Sequence, residues 1–200
     1  SFYQVNSAQT ELLYNKALQL AALTGKEKVL DAYCGIGTIG LIASRKAGEV
    51  IGVELNPDAV RDAVQNAKMN DVKNIQFYCK VFIPFGELVA DIIGQEQEIR
   101  LHQFYQNDAG KFLVEMTGQG AKVDVVLMDP PRSGSTKEFI DAVAKMGPER
   151  VVYVSCGPET LVRDLRWFMG NGYRAVEAWP VDMFGGTGHV ETVALLVRKP

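Results

Sequence analysis

The sequence predicts an α/β fold: a mostly parallel sheet with helices on both faces and an antiparallel C-terminal edge. Short β-branched runs alternate with amphipathic segments, a glycine-rich turn joins the first run to a helix, and the last two runs lie too close together for a helical crossover. At 200 residues and 47% apolar content the chain can bury one substantial core, so a single domain over residues 1–200 is expected.

The elements follow in order. An amphipathic segment around Tyr14 precedes the first strand, Lys28 to Tyr33, which runs into the glycine turn and a helix. The second strand is Val50 to Glu54. Asn56-Pro57-Asp58 then opens a helix around Ala63, with asparagine as cap and proline in the first turn. Gln76-Phe77-Tyr78 reads as the next strand and recurs as Gln103-Phe104-Tyr105, so either copy is suited to the same sheet position. The stretch between the copies, residues 80–106, reads as an insertion within the domain. Its charges are mainly acidic, Glu87, Asp91, Glu96 and Glu98 against Lys80 and Arg100, which suits a surface element better than an RNA-binding arm. Val123 to Met128, a helix around Ile140, Arg150 to Ser155 and a helix around Leu161 opened by Gly157-Pro158-Glu159 continue the alternation. Tyr173 to Trp179 and Val190 to Arg198 close it as an antiparallel pair.

Composition excludes some functions. No apolar run approaches the ~18 residues of a membrane span and the first residues lack a basic region before an apolar run, so a cytoplasmic location without a membrane partner is expected. Cys34, Cys79 and Cys156 have no C-x-x-C pairing and only His102 and His189 for company, so neither a metal site nor a disulfide framework is expected. Twenty-one Lys and Arg against 24 Asp and Glu give a net charge of -3, opposite to the basic surface of most nucleic-acid binders. An RNA partner would need a local basic patch or a further domain to attract its phosphates.

Asp31-Ala32-Tyr33-Cys34-Gly35-Ile36-Gly37-Thr38-Ile39-Gly40 follows a strand and enters a helix, and Glu54 ends the next strand. This matches G-x-G-x-x-G with its distal carboxylate and implies a nucleotide-type ligand, whose ribose hydroxyls Glu54 can bind while Gly35 and Gly37 allow close backbone approach. NAD and S-adenosylmethionine both satisfy that logic. Asp31 tips the choice toward the second, because a carboxylate there would repel a pyrophosphate but attract a cationic methionine moiety. A turn that merely packs helix on strand is the competing reading.

Two polar motifs stand at the ends of the fourth and fifth strands: Asp129-Pro130-Pro131-Arg132 and Ser155-Cys156-Gly157-Pro158. This edge is where open α/β sheets bind ligands. The prolines stiffen the chain after Asp129, and Arg132 can reach a phosphate or a base carbonyl; a helix cap is the alternative use of Asp129. Cys156 precedes a helix whose first-turn amides should lower its pKa and favour a nucleophilic thiolate, against the alternative of a small buried hydrophobe. Glu191, just before the last apolar strand, can act as a base or stand as a solvated strand residue.

Together these motifs resemble the RNA 5-methyluridine methyltransferases. The resemblance rests on Ser1-Phe2-Tyr3-Gln4-Val5-Asn6, Asp31 to Gly40, Asp129 to Gly134, Ser155-Cys156 with Pro158-Glu159-Thr160, and Asp182-Met183-Phe184 leading to His189-Val190-Glu191. It implies a Rossmann-like class I methyltransferase with a seven-stranded sheet and S-adenosylmethionine as cofactor. By resemblance, Gln4, Tyr33, Glu54 and Asp129 contact that cofactor, Asp108 reaches its adenine, Cys156 is the nucleophile and Glu191 the proton acceptor. The target is carbon 5 of a uridine in tRNA or rRNA, flipped out of its stack and within reach of Phe184 and Tyr3. The chain departs from the family at Gly157, usually asparagine, and Gly185, usually proline. Members also carry N-terminal RNA-binding domains that this chain does not include. An amino methyltransferase, which needs neither Cys156 nor Glu191, a cofactor-binding domain without catalysis, and an NAD dehydrogenase are the competing readings.

Overall fold

The computed structural model describes residues 6–79, 122–183 and 190–200. The insertion at 80–106, the second Gln-Phe-Tyr copy, Tyr3, Gln4, Asp108, Phe184 and Gly185 lie outside these residues. The described elements are α1 (Ser7–Ala21), β1 (Lys28–Ala32), α2 (Thr38–Ser44), β2 (Glu49–Glu54), α3 (Pro57–Met69), β3 (Ile75–Cys79), β4 (Val125–Met128), α4 (Lys137–Met146), β5 (Arg150–Ser155), α5 (Pro158–Gly170), β6 (Tyr173–Val181) and β7 (Glu191–Arg198).

The seven strands form one sheet in the order β3-β2-β1-β4-β5-β7-β6. Neighbours from β3 to β5 pair in parallel, and β7 runs antiparallel to both β5 and β6. The expected sheet with its antiparallel C-terminal edge is thus present, and the first Gln-Phe-Tyr copy lies in β3. β6 continues two residues beyond the expected end, through Pro180. An edge strand tolerates proline because one side of its backbone needs no ladder partner.

Alternate residues of each central strand feed two cores. Val29 of β1, Val125 and Leu127 of β4, and Val152 and Val154 of β5 pack with Leu13 and Ala17 of α1, Ile39 of α2 and Ala63 of α3. Leu30 and Ala32, Val126 and Met128, and Val151 and Tyr153 face the other way, onto Phe139 and Ile140 of α4 and Leu161 and Phe168 of α5. That two-sided burial is why the strands read as continuous apolar runs. Caps match the sequence: the Asn56 side chain accepts from Asp58 and Ala59 N–H at the start of α3. Thr136 caps α4 by accepting from Phe139 N–H, so Asp129 is not that cap and its carboxylate is left for other work.

Candidate functional site

Parallel strands end on one edge, and the register decides which of their last residues meet. Ala32 pairs with Val53 on one side and Met128 on the other, so the residues after β1, β2 and β4 emerge together. The Asp129 N–H donates to the Ala32 carbonyl at 3.3 Å and the Cys34 N–H to the Val53 carbonyl at 3.0 Å. Because β7 is antiparallel, its beginning lies at this same edge. Ser155 pairs with Thr192, which brings Glu191 beside Cys156 across 35 residues of sequence. Of the expected site residues, Tyr33, Gly35, Gly37, Glu54, Asp129, Cys156 and Glu191 are all described and converge here.

The glycine turn is built by main-chain amides. Glu54 accepts from Gly35 N–H at 3.0 Å through one oxygen, and from Leu55 and Asn56 N–H at 2.7 and 2.9 Å through the other. Gly35 (φ +54°) has open space where a side chain would stand, whereas a Cβ on Gly37 (φ +84°) would meet Phe77 at 2.9 Å and Ala63 at 3.2 Å. The second glycine therefore serves packing of the turn on β3 and α3. The packing reading fits Gly37, while the space beside Gly35 is open. Tyr33 sits in the left-handed region at φ +63°, a conformation that costs about 1 kcal/mol or more in a bulky residue. It is held by its ring against Phe139 (centroids 4.8 Å apart) and by a hydroxyl contact of 2.9 Å with Ser135 Oγ.

Asp31 is 1% exposed and accepts from Gly40 N–H at 2.8 Å, tying α2 to β1. Instead of projecting toward a ligand, as expected from the sequence, it acts from beneath the turn as a buried charge. Burial, with repulsion from Asp129 and Glu54 overriding the Gly40 hydrogen bond, pushes its carboxyl up to about 7. Burial and the nearby Glu191 push half-buried Asp129 up to about 7 as well. Glu191, 7% exposed, is raised by burial against the opposing pull of Arg132, so it is not a solvated strand residue. The edge thus gathers carboxylates with one nearby arginine. Such a cluster suits a cationic ligand and disfavours an anionic one. Among the described residues, no group of three His, Cys, Asp or Glu side chains could hold a metal ion.

Cys156 is half-buried, with the Arg132 side chain near enough to act on its thiol. The sequence-based expectation of a lowered thiol pKa is corrected here. Burial raises it, Glu191 and Asp129 add to the rise, and the nearby Arg132 opposes them without prevailing. The two carboxylates and the partly dry setting outweigh the first turn of α5, which begins with Pro158 and so lacks one amide donor. Cys34 and Cys79 are buried packing residues, their thiols pushed up chiefly by burial.

Sequence reasoning missed two contributors. Tyr14 of α1 is half-buried beside the acidic cluster, its hydroxyl pushed up to about 12 by burial and by Asp129, Asp31 and Glu191. Asp164 of α5 is wholly buried and bonded to Ser135 and Tyr153. A polar group on the apolar face of a helix was the available signal for both.

The comparisons with known proteins agree with this arrangement. The chain is 46% identical over 198 residues to an uncharacterized RNA methyltransferase of Caldanaerobacter subterraneus subsp. tengcongensis, covering 99% of this chain and 38% of that protein. It is 45% identical over 199 residues to an uncharacterized RNA methyltransferase of Staphylococcus aureus, covering all of this chain and 38% of that one. The chain therefore spans less than half the length of these curated relatives. Among solved structures, the tRNA (uracil-54, C5)-methyltransferase of Pyrococcus abyssi, in complex with S-adenosyl-L-homocysteine, superposes with a TM-score of 0.72 at 30% identity, over 98% of this chain and 40% of that one. The precorrin-6y C5,15-methyltransferase of Geobacter metallireducens, at 15% identity and a TM-score of 0.67, shares the fold. A family model described as tRNA (uracil-5-)-methyltransferase matches residues 1–199. The match takes in both the glycine turn and the Cys156 edge, and the chain belongs to the tRNA (uracil-5-)-methyltransferase family.

Proposed function

We propose that this chain is the catalytic domain of an enzyme that methylates carbon 5 of a uridine in tRNA or rRNA through a covalent adduct on Cys156. The observation that carries the reading is the meeting of Cys156, Arg132, Asp129 and Glu191 at one sheet edge, next to a cradle suited to a cationic nucleoside. Gly35, Glu54, Tyr33 and Asp129, together with Gln4 and Asp108 from the family resemblance, hold S-adenosylmethionine. When bound, this cofactor supplies an electrophilic methyl group on a sulfonium. Its positive charge complements the cluster of Asp31, Asp129 and Glu191 and offsets the two carboxylates that raise the Cys156 thiol.

The division of labour follows from the chemistry of uracil. Carbon 5 is too weak a nucleophile to accept a methyl group unaided. The Cys156 thiolate adds to carbon 6, forming the S–C6 bond and delocalising an electron pair to carbon 5. After methylation, Glu191 takes the proton from carbon 5, the electron pair re-forms the C5–C6 double bond, and the thiolate departs from carbon 6. A carboxylate whose pKa is raised by burial is a stronger base than an exposed one, which fits this role. RNA is the partner, in the cytoplasm, and a chain of net charge -3 relies on regions beyond this domain for much of its phosphate attraction.

The test is an RNA carrying 5-fluorouridine. Fluorine cannot leave as a proton does, so the reading predicts a stable adduct of RNA, methyl group and protein, detected by mass spectrometry on Cys156 and absent from Cys156→Ala. Cofactor-dependent methylation of normal RNA by Cys156→Ala would overturn the covalent reading in favour of amino methylation.

A further inference from the structure

The loop from Asp129 to Thr136 carries two of the groups that face Cys156, and consecutive prolines at its start remove amide donors that could tie it to itself. It keeps one turn bond of its own, Gly134 N–H to the Pro131 carbonyl at 2.8 Å, and side chains of α5 secure the rest. Thr160 Oγ1 donates to the Arg132 carbonyl at 3.1 Å, and Arg163 Nη2 donates to the carbonyls of Ser133 and Ser135, each at 2.9 Å. Asp164, 0% exposed, accepts from Ser135 N–H at 2.7 Å and from the Tyr153 hydroxyl at 2.6 Å through one oxygen, and from Arg163 Nε at 2.8 Å through the other. The loop is drawn down so closely that a Cβ on Gly134 (φ +74°) would lie 2.5 Å from Arg163 Nη2 and 2.7 Å from Asp164 Oδ2. Ser135 Oγ in turn meets the Tyr33 hydroxyl at 2.9 Å, which links the same pair to the glycine turn.

A buried carboxylate is a costly way to stabilise a helix against a sheet, because apolar residues of similar volume pack there as well or better. What the hydrogen-bonded pair adds is a defined position for the backbone it grips. We infer that Arg163 and Asp164 are positioning residues for the reaction: they clamp the loop bearing Asp129 and Arg132 to the helix that follows Cys156, and so keep the Arg132 guanidinium on the thiol. Breaking the clamp leaves the Glu54 bonds to Gly35, Leu55 and Asn56 in place, so the cofactor side, touched through Asp129 and Tyr33, is disturbed less than the thiol side. The thiol loses its only nearby cationic partner among the described residues that oppose the rise in its pKa.

The consequence for turnover rests on Cys156 being the nucleophile; the consequence for the thiol does not. Alkylation of Cys156 by iodoacetamide, followed by mass spectrometry across pH, reads the thiol without cofactor or RNA, with buried Cys34 and Cys79 as slow internal references. In Asp164→Asn and Arg163→Lys, Cys156 alkylation at pH 7.5 is expected to fall about three- to tenfold with its midpoint moved upward. In turnover, kcat is expected to drop by more than KM for the cofactor rises. An unchanged alkylation profile in the folded variants overturns the inference, as does an equal loss of cofactor affinity and kcat. Should Asp164→Asn fail to fold, Arg163→Lys carries the test, since its side chain is 41% exposed and its replacement keeps the charge. A missing fluorouridine adduct would overturn the covalent reading and leave the alkylation result standing.

Discussion

The glycine turn holds its ligand-facing groups with main-chain amides from one short stretch, residues 31–56, whereas the Cys156 side of the same edge is assembled from side chains on β4, β5, α5 and β7. The first construction is local and depends on glycines and two carboxylates, Asp31 and Glu54. The second spans more than 60 residues and depends on strand order and an ion pair whose carboxylate is buried. Damage to the turn should therefore weaken binding and folding together. Damage to the other side should remove more chemistry than binding.

The largest effect that sharpens this contrast is expected from Glu191→Gln. Turnover should fall about 10²- to 10⁴-fold, the scale of losing a general base, while cofactor affinity measured by calorimetry stays within about threefold. Methylated RNA should accumulate as a covalent adduct on Cys156, visible on a denaturing gel, because the proton at carbon 5 has no acceptor. A variant that turns over normally would remove Glu191 from the mechanism.

Next come the two glycines. Gly37→Ala should cost about 2–4 kcal/mol of stability, from a positive φ combined with the collision against Phe77 and Ala63, read as a fall in denaturation midpoint. Gly35→Ala meets open space and should cost about 1 kcal/mol, yet lower cofactor affinity about tenfold by placing a methyl group where the backbone must approach its ligand. If both variants lose stability equally, the turn is one packing unit and the separation of roles fails.

The last comparison is a pH dependence. Asp31 and Asp129 have carboxyls pushed from an ordinary 3.8 to about 7 in the folded chain. A raised folded value means that their contribution to stability is complete below about pH 4 and is lost as pH rises to about 7. The ligand-free protein should therefore melt at a lower temperature at pH 8 than at pH 5. Affinity for S-adenosylmethionine should move the other way, rising from pH 6 to 8 as the carboxylates ionise. It should rise more than affinity for S-adenosylhomocysteine, which lacks the sulfonium charge. Parallel pH profiles for the two ligands would show that these carboxylates do not sense that charge.

The alternation of strand and helix, the cap at Asn56, the helix start at Pro158, and the Asp31 to Gly40 turn were legible in the sequence because each is encoded by neighbours a few residues apart. Cys156 and Glu191 were legible as candidates through their family motif. The direction of the Cys156 thiol was not. A helix start argues for a lowered value, and only the packing that brings Glu191 and Asp129 close reverses it. The different surroundings of Gly35 and Gly37 were equally hidden, since they turn on whether Phe77, forty residues away in the chain from Gly37, fills the space beside the turn.

Hydrophobic period, turn chemistry and motif spacing therefore carried the fold class and the cofactor turn by themselves, because those are short-range properties of a chain. The tertiary structure alone decided the company each charged group keeps. Strand order and the antiparallel β7 set which carboxylates share a dry edge, and Asp164 sets how the Arg132 loop meets Cys156. Coulomb energy and desolvation depend on distance in space and access to water, and a linear sequence specifies neither until it is folded.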